Sequence, residues 1–138
     1  MSEAAAIVFV VDDDASVCRA LERLLRSAGY HVRTFDAARE ILEADALGGV
    51  ACLILDVRMP GQGGLDLHET LAAAGRDPSV VFMTGHGDVA MAAKAMRAGA
   101  VAFLPKPFDD VLLLDAVERA VARHREREAR RAGTPSAR

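Results

Sequence analysis

Short apolar runs alternate along the chain with stretches in which apolar residues recur every three or four positions. The runs predict five strands, at about residues 6–11, 30–35, 51–55, 80–83 and 101–104. The stretches between them predict helices; in the first, Val17, Leu21 and Leu24 share one face and Gly29 ends the helix. In the second, the residues expected to face inward are Ala38, Ile41, Leu42 and Leu47. Strands that alternate with helices favour a single α/β domain, in which helices cover both faces of a parallel sheet.

Two of the predicted strands end in acidic residues. The first runs into Asp12, Asp13 and Asp14, and the third ends directly before Asp56. Open α/β sheets bind their ligands at the carboxyl ends of their strands, so two acidic strand ends indicate one site. Thr84 and Lys106 each follow their own strand and are expected at the same edge of the sheet.

Charged residues are unevenly distributed along the 138 residues. Residues 1–118 carry 10 basic and 18 acidic residues, a balance of −8, whereas residues 119–138 carry seven arginines and two glutamates, a balance of +5. The last helix is expected to continue into this basic tail, with disorder after residue 133. Two interpretations remain open: a solvated helix end, or a linker to a further segment.

The cysteines, the histidines and the length of the apolar runs argue against several classes of protein. Cys18 and Cys52 lie far apart in apolar patterns, as reduced core thiols of a cytoplasmic protein would. The four histidines are scattered, which argues against a zinc site. No apolar stretch reaches the roughly 20 residues that cross a bilayer, so no membrane contact is expected.

The acidic cluster suggests phosphoryl chemistry. Clustered carboxylates raise each other's pKa unless a cation is present, and Lys106 supplies only one positive charge. All-oxygen ligands favour Mg²⁺, which binds one or two carboxylates together with phosphate oxygens. A carboxylate such as Asp56 can then act as the nucleophile in phosphoryl transfer, and the Thr84 hydroxyl can donate to a phosphoryl oxygen.

Four sequence motifs lie at the ends of the predicted strands. They are Val11-Asp12-Asp13-Asp14, Asp56-Val57-Arg58-Met59-Pro60 with Gly64, Thr84-Gly85-His86-Gly87-Asp88, and Phe103-Leu104-Pro105-Lys106-Pro107-Phe108. Together they resemble the receiver domains of bacterial response regulators in two-component phosphorelay signal transduction. The resemblance covers about residues 6–122, and its Thr-Gly-His-Gly-Asp stretch is similar to the FixJ-like branch. It implies a flavodoxin-like, doubly wound five-stranded parallel sheet in the order 2-1-3-4-5 with five helices.

The resemblance also implies a role for each site residue. Asp56 would be the phospho-acceptor of a sensor histidine kinase, with Lys106 and Thr84 contacting the phosphoryl group. Asp13, Asp56 and the main-chain carbonyl of Arg58 would bind Mg²⁺, and Asp12 would act through water. Thr84 and Phe103 would form the switch pair, and the Lys106–Pro107 peptide bond would be cis. Phosphorylation would promote a homodimer.

Each of these residues has an ordinary interpretation when taken alone. Asp14 is expected to cap the first helix, Lys106 alone would be a solvated lysine, and Phe103 alone a core residue. Gly61 and Pro105 depart from the commonest family pattern by standing where acidic residues are frequent. The joint arrangement of the motifs therefore carries the prediction.

Three functional interpretations follow. The first is a receiver domain at residues 1–124, followed by a partly disordered basic tail or linker at 125–138, which controls transcription through a domain absent from these residues. It would catalyse only its own phosphorylation and dephosphorylation.

The second interpretation is a stand-alone receiver that acts by protein contacts. The third is an aspartate-nucleophile phosphohydrolase of the haloacid-dehalogenase type, in which Arg58 occupies the position of the usual second aspartate. No element for reading DNA is found, so no nucleic-acid contact is expected.

Overall fold

The computed structural model describes residues 5–43, 49–58, 63–76, 78–85 and 89–133, and these form five strands and five helices. The sheet is parallel in the order β2-β1-β3-β4-β5, which confirms the predicted fold. The strands are β1 (Ile7–Val11), β2 (His31–Phe35), β3 (Val50–Asp56), β4 (Val80–Thr84) and β5 (Ala102–Pro105). The helices are α1 (Ala15–Ser27), α2 (Ala38–Glu43), α3 (Gly64–Ala73), α4 (Val89–Arg97) and α5 (Asp110–Gly133).

The sheet separates two apolar cores. Helices α1 and α5 contribute to the core on one face, around Leu21, Leu25 and Leu113. Helices α2, α3 and α4 contribute to the core on the other, around Ile41 and Leu67. All seven residues of β3 are buried, as expected of a central strand covered on both faces. The end of this strand is therefore held in a fixed position.

Side-chain burial confirms some predictions and corrects others. Cys18 and Cys52 are both buried and unpaired, as expected for core thiols. In α2, Ile41 is fully buried, but Leu42, which helical spacing also placed inward, is 41% exposed. The described part of α2 has only six residues, so one narrow face meets the sheet. Leu47, a further predicted core residue, lies outside the described residues.

Aspartate caps fix the starts of two helices. The Asp14 side chain accepts hydrogen bonds from the backbone N–H groups of Ser16 and Val17, at 2.9 and 3.4 Å, as the predicted cap of α1. Asp109 accepts from the N–H groups of Val111 and Leu112 in the same way at the start of α5. These caps satisfy backbone donors that the first turn of a helix leaves without partners.

Helix α5 extends past the sheet. Its last core residue is Val121, yet the helix continues to Gly133, so the boundary predicted between residues 124 and 125 falls inside one continuous helix. The division into domain and tail therefore stays a prediction. Within the described ranges, every helix is too short or too polar to cross a membrane.

Close backbone packing joins the start of α3 to the end of β3. The Gly64 N–H donates to the Val57 carbonyl at 3.1 Å. A Cβ atom at Gly64 would overlap the carbonyl oxygen of Asp56, and one at Gly63 would stand 2.7 Å from the Val57 oxygen. Only glycine permits this approach, which holds the backbone of Asp56 in place.

We predict that Gly64→Ala lowers the free energy of unfolding by about 1–3 kcal/mol, because the added methyl group displaces buried backbone. Gly49→Ala is the matched control, since its Cβ would only reach ordinary contact with Ile7 Cδ1 at 3.9 Å. The control should change the free energy by no more than about 0.5 kcal/mol. Urea denaturation measures both, and equal effects would contradict the packing argument.

Candidate functional site

Three carboxylates meet at the carboxyl edge of the sheet. Asp12 and Asp13 follow β1, and Asp56 is the last residue of β3. These strands are neighbours with Val11 beside Leu55, so Asp12 and Asp56 leave the sheet next to each other. One oxygen from each of the three carboxylates lies within 4.8 Å of the others. Asp12 is 2% exposed and Asp56 6%, whereas Asp13 is exposed.

Lys106 is the cation at the centre of this group. Its Nζ atom lies 2.7 Å from Asp12 Oδ2 and 3.3 Å from Asp56 Oδ2. The residue follows β5, and its N–H donates to the Thr84 carbonyl at 2.7 Å. The Lys106–Pro107 peptide bond is cis. The ammonium thus bridges carboxylates from two strands while its own backbone is joined to a third.

Burial and charge shift the pKa values of the site. Burial raises the pKa of the Asp56 carboxyl, and the Asp12 charge raises it further, while Lys106 and the Arg58 N–H oppose these effects. Burial alone would lower the pKa of Lys106, but its hydrogen bonds to Asp12 and Asp56 and their charges together raise it. Lys106 therefore stays protonated, and one ammonium faces three carboxyl groups.

Backbone donors orient two of the carboxylates. Asp12 Oδ1 accepts from the N–H of Asp14 at 2.9 Å, and Asp56 Oδ1 accepts from the N–H of Arg58 at 3.3 Å. The donor set of three carboxylates suits a hard divalent cation such as Mg²⁺, which would offset the excess negative charge. The residues present thus fit the metal that the sequence indicated.

Thr84 and Phe103 lie beside the site on neighbouring strands. Thr84 ends β4 and is 2% exposed, whereas Phe103 in β5 is half-buried. Phe103 pairs in register with Phe82, and the two ring centroids are 6.4 Å apart. The Thr84 hydroxyl and the Phe103 ring therefore belong to two strands that are hydrogen-bonded to each other.

Parts of the four sequence motifs fall outside the described ranges. They include residues 59–62, which contain Gly61, and residues 86–88 of the Thr-Gly-His-Gly-Asp motif. Arg58 is described and exposed, and its N–H is the group that contacts Asp56.

Sequence reasoning missed one contact of the site. The Cys18 thiol, interpreted there only as a core group, donates to the carbonyl oxygen of Asp12 at 3.3 Å. Burial raises the pKa of this thiol, so it stays protonated as a donor. Its place in the first turns of α1, four residues after the cap Asp14, was the available signal. A cleft of about 400 Å³ opens beside it, lined in part by Arg19, Phe35 and Glu40.

The chain is similar to known proteins. Residues 8–118 match the family model of the response regulator receiver domain. Nodulation protein W of Bradyrhizobium diazoefficiens is 50% identical over 127 residues, which cover 91% of this chain and 56% of that protein. The transcriptional regulatory protein FixJ of the same organism is 45% identical over 116 residues, covering 83% and 56%.

A solved structure of a response regulator is also similar to this chain. The response regulator StyR superposes with a TM-score of 0.88 at 49% identity, covering 94% of this chain and 65% of that one. The chain therefore spans a little over half the length of the curated relatives described above.

The family also decides between the classes of protein that the acidic site allowed. A receiver domain is a signalling domain, which removes the support for a phosphohydrolase of the haloacid-dehalogenase type. The strand order, the acidic strand ends and the match over residues 8–118 agree, and the chain belongs to the family of response regulator receiver domains of bacterial two-component systems.

Proposed function

We propose that this receiver domain is a phosphorylation-controlled switch whose phospho-acceptor is Asp56. A sensor histidine kinase is the proposed phosphoryl donor. The proposal is carried by one observation: carboxylate oxygens of Asp12, Asp13 and Asp56 converge within 4.8 Å beside the Lys106 ammonium. Asp56 is the only one of the three that is the last residue of a central strand. Gly64 packs against its carbonyl oxygen, and the N–H of the next residue, Val57, donates to the Met83 carbonyl at 2.9 Å.

The proposed reaction needs no base from the protein. A carboxylate oxygen of Asp56 attacks phosphorus, the bond from phosphorus to the donor breaks, and an acyl phosphate forms. The negative charge of the transferring group must be offset in a site that already carries three carboxyl groups. Asp13, Asp56 and the main-chain carbonyl of Arg58 would hold Mg²⁺, with Asp12 acting through water. When bound, the ion supplies charge stabilisation for the phosphoryl oxygens.

Lys106 and Thr84 complete the proposed site. Lys106 Nζ lies 3.3 Å from Asp56 Oδ2 and can transfer its contact to a phosphoryl oxygen on that carboxylate. The Thr84 hydroxyl would donate to another phosphoryl oxygen, and Phe103 would move inward as Thr84 turns. Phosphorylation would shift a pre-existing equilibrium between two conformations, since a ligand acts through its different affinity for the two.

The proposed output is control of transcription. FixJ and TdiR, a relative from Thauera aromatica, are described as transcriptional regulatory proteins, and the chain spans about half the length of each. We infer that this domain acts with a further part of a longer regulator, and that phosphorylation promotes a homodimer. The same proposal places the protein in the bacterial cytoplasm, where it would meet the catalytic part of the kinase.

We predict that acetyl phosphate adds one phosphoryl group to the wild-type protein, and only when Mg²⁺ is present. Intact-mass analysis with Mg²⁺ and with EDTA measures the addition. Asp56→Asn should take up none, because its amide is not a nucleophile for phosphorus. Asp66→Asn, at an exposed position of α3, is the control and should react like the wild type. Phosphorylation of Asp56→Asn would refute the assignment.

Lys106→Met should lower the free energy of unfolding by about 3 kcal/mol in buffer without divalent ions, because it leaves Asp12 and Asp56 buried without a cation. Lys94→Met, which removes the other lysine of the chain from an exposed place in α4, should have little effect. Thermal and urea denaturation measure both. An unchanged stability of Lys106→Met would show that the ammonium does not compensate the carboxylates.

Thr84→Ala should retain phosphoryl uptake at Asp56 but lose most of the structural response in β5 and α5. Hydrogen exchange with and without beryllofluoride, a phosphoryl mimic, measures that response. The control is Thr70→Ala, which removes a hydroxyl that donates to the Asp66 carbonyl on an exposed part of α3. If Thr84→Ala and the wild type responded alike, Thr84 would not be the switch residue.

A further inference from the structure

Helix α5 consists of two parts with different surroundings. Up to Val121 its inward side chains are buried in the core, among them Leu113 and Val117. Beyond Val121, the side chains described, through Arg131, are exposed or half-exposed. Residues 122–133, here called the α5 extension, add about 18 Å of helix beyond the last core residue. The extension therefore forms a surface that core packing does not explain.

Arginines concentrate along one side of this helix. At about 100° per residue, five of them fall within an arc of about 120°, whereas Arg125 points to the opposite side. Residues 119–131 together contain six arginines and two glutamates, a balance of +4. The arginine stripe consists of Arg119, Arg123, Arg127, Arg130 and Arg131.

Two ion pairs of the stripe lie at the protein surface. Arg119 Nε pairs with Asp115 at 3.1 Å and Arg131 Nη1 with Glu128 at 3.4 Å, and all four side chains are about half or more exposed. Exposed pairs of this kind contribute little stability and exchange readily with other anions. Arg123 Nη1 lies 3.5 Å from Ser79 Oγ, which joins the base of the extension to the start of β4.

We propose that the arginine stripe binds the phosphate backbone of duplex DNA, independently of base sequence. A line of guanidinium groups over three helical turns complements a polyanion with regularly spaced charges. The apolar residues of the extension are all alanines, so it lacks the large apolar face with which a helix enters a membrane surface or pairs with another helix. The choice of DNA among polyanions rests on the proposed role in transcription.

The sequence led us to expect no nucleic-acid contact by this chain. That expectation rested on the basic tail, which has no aromatic residue and no helix-turn-helix pattern, the features of base recognition. Phosphate contacts need neither, because they depend on positive charge and position alone. The proposed contact would add affinity and orientation to a regulator whose specificity resides elsewhere.

The acidic body of the domain does not prevent this contact. Residues 1–118 carry a balance of −8, which repels DNA. The extension carries the positive charge away from the body over a distance that exceeds the screening length of about 10 Å at 0.1 M salt. The chain therefore separates its charges into an acidic domain and a basic helix.

The test is fluorescence anisotropy of a labelled 20-base-pair duplex of arbitrary sequence, titrated with the 138-residue protein without Mg²⁺ or a phosphoryl donor. About four phosphate contacts would give a slope of log K against log salt of about −3.6, an approximately 100-fold loss between 50 and 200 mM. Arg130→Gln should weaken binding about tenfold and make the slope shallower by about 1. Arg125→Gln, on the opposite side of the same helix, is the matched control and should change binding much less.

Asp56→Asn lacks the proposed phospho-acceptor and should bind the duplex like the wild type. DNA binding is thereby tested separately from the proposed phosphorylation. Circular dichroism verifies that the variants keep their helical content. Absence of binding at 50 mM salt would overturn the proposal, as would equal losses in Arg125→Gln and Arg130→Gln, which would indicate diffuse attraction. Sedimentation at low salt without DNA tests a second copy as the partner: self-association that Arg130→Gln abolishes would also overturn it.

Discussion

The placement of two nearly buried carboxylates around one ammonium is the constraint on which the functional structure depends. Asp12 and Asp56 are 2% and 6% exposed, and Lys106 contacts both. Carboxylates in such a place destabilise the folded chain unless a cation compensates them. The site thus carries more negative than positive charge, and the proposed binding of a hard cation and of a phosphoryl group rests on this excess.

The surrounding backbone keeps these charges in place. Asp14 caps α1 while its own N–H donates to Asp12, so the helix and the site are fixed by the same residue. Gly64 brings α3 against the carbonyl of Asp56, and Lys106 is bound through its N–H to the carbonyl of Thr84. Each group therefore belongs to a different element of the fold, and a change in charge at Asp56 would act on several of them.

Acidic and basic residues are also separated along the whole chain. The acidic domain holds the site, whereas the extension of α5 carries a stripe of arginines past the last core residue. Since α5 is continuous from Asp110 to Gly133, a movement of the helix against the sheet would move the stripe as well. If the proposed switch moves α5, it would therefore also move the proposed phosphate-binding surface.

The sequence alone determined the strands, the helices and the acidic strand ends, because burial on both faces leaves continuous apolar runs and caps leave aspartates before helices. Strand order needed the family resemblance, since alternation permits several topologies. Only the tertiary structure decided that Leu42 is exposed, that the Cys18 thiol contacts Asp12, and where the core face of α5 ends. Periodicity reports which residues share a face of an element. It does not report how far the neighbouring elements extend to cover that face, and that depends on packing between segments distant in the chain.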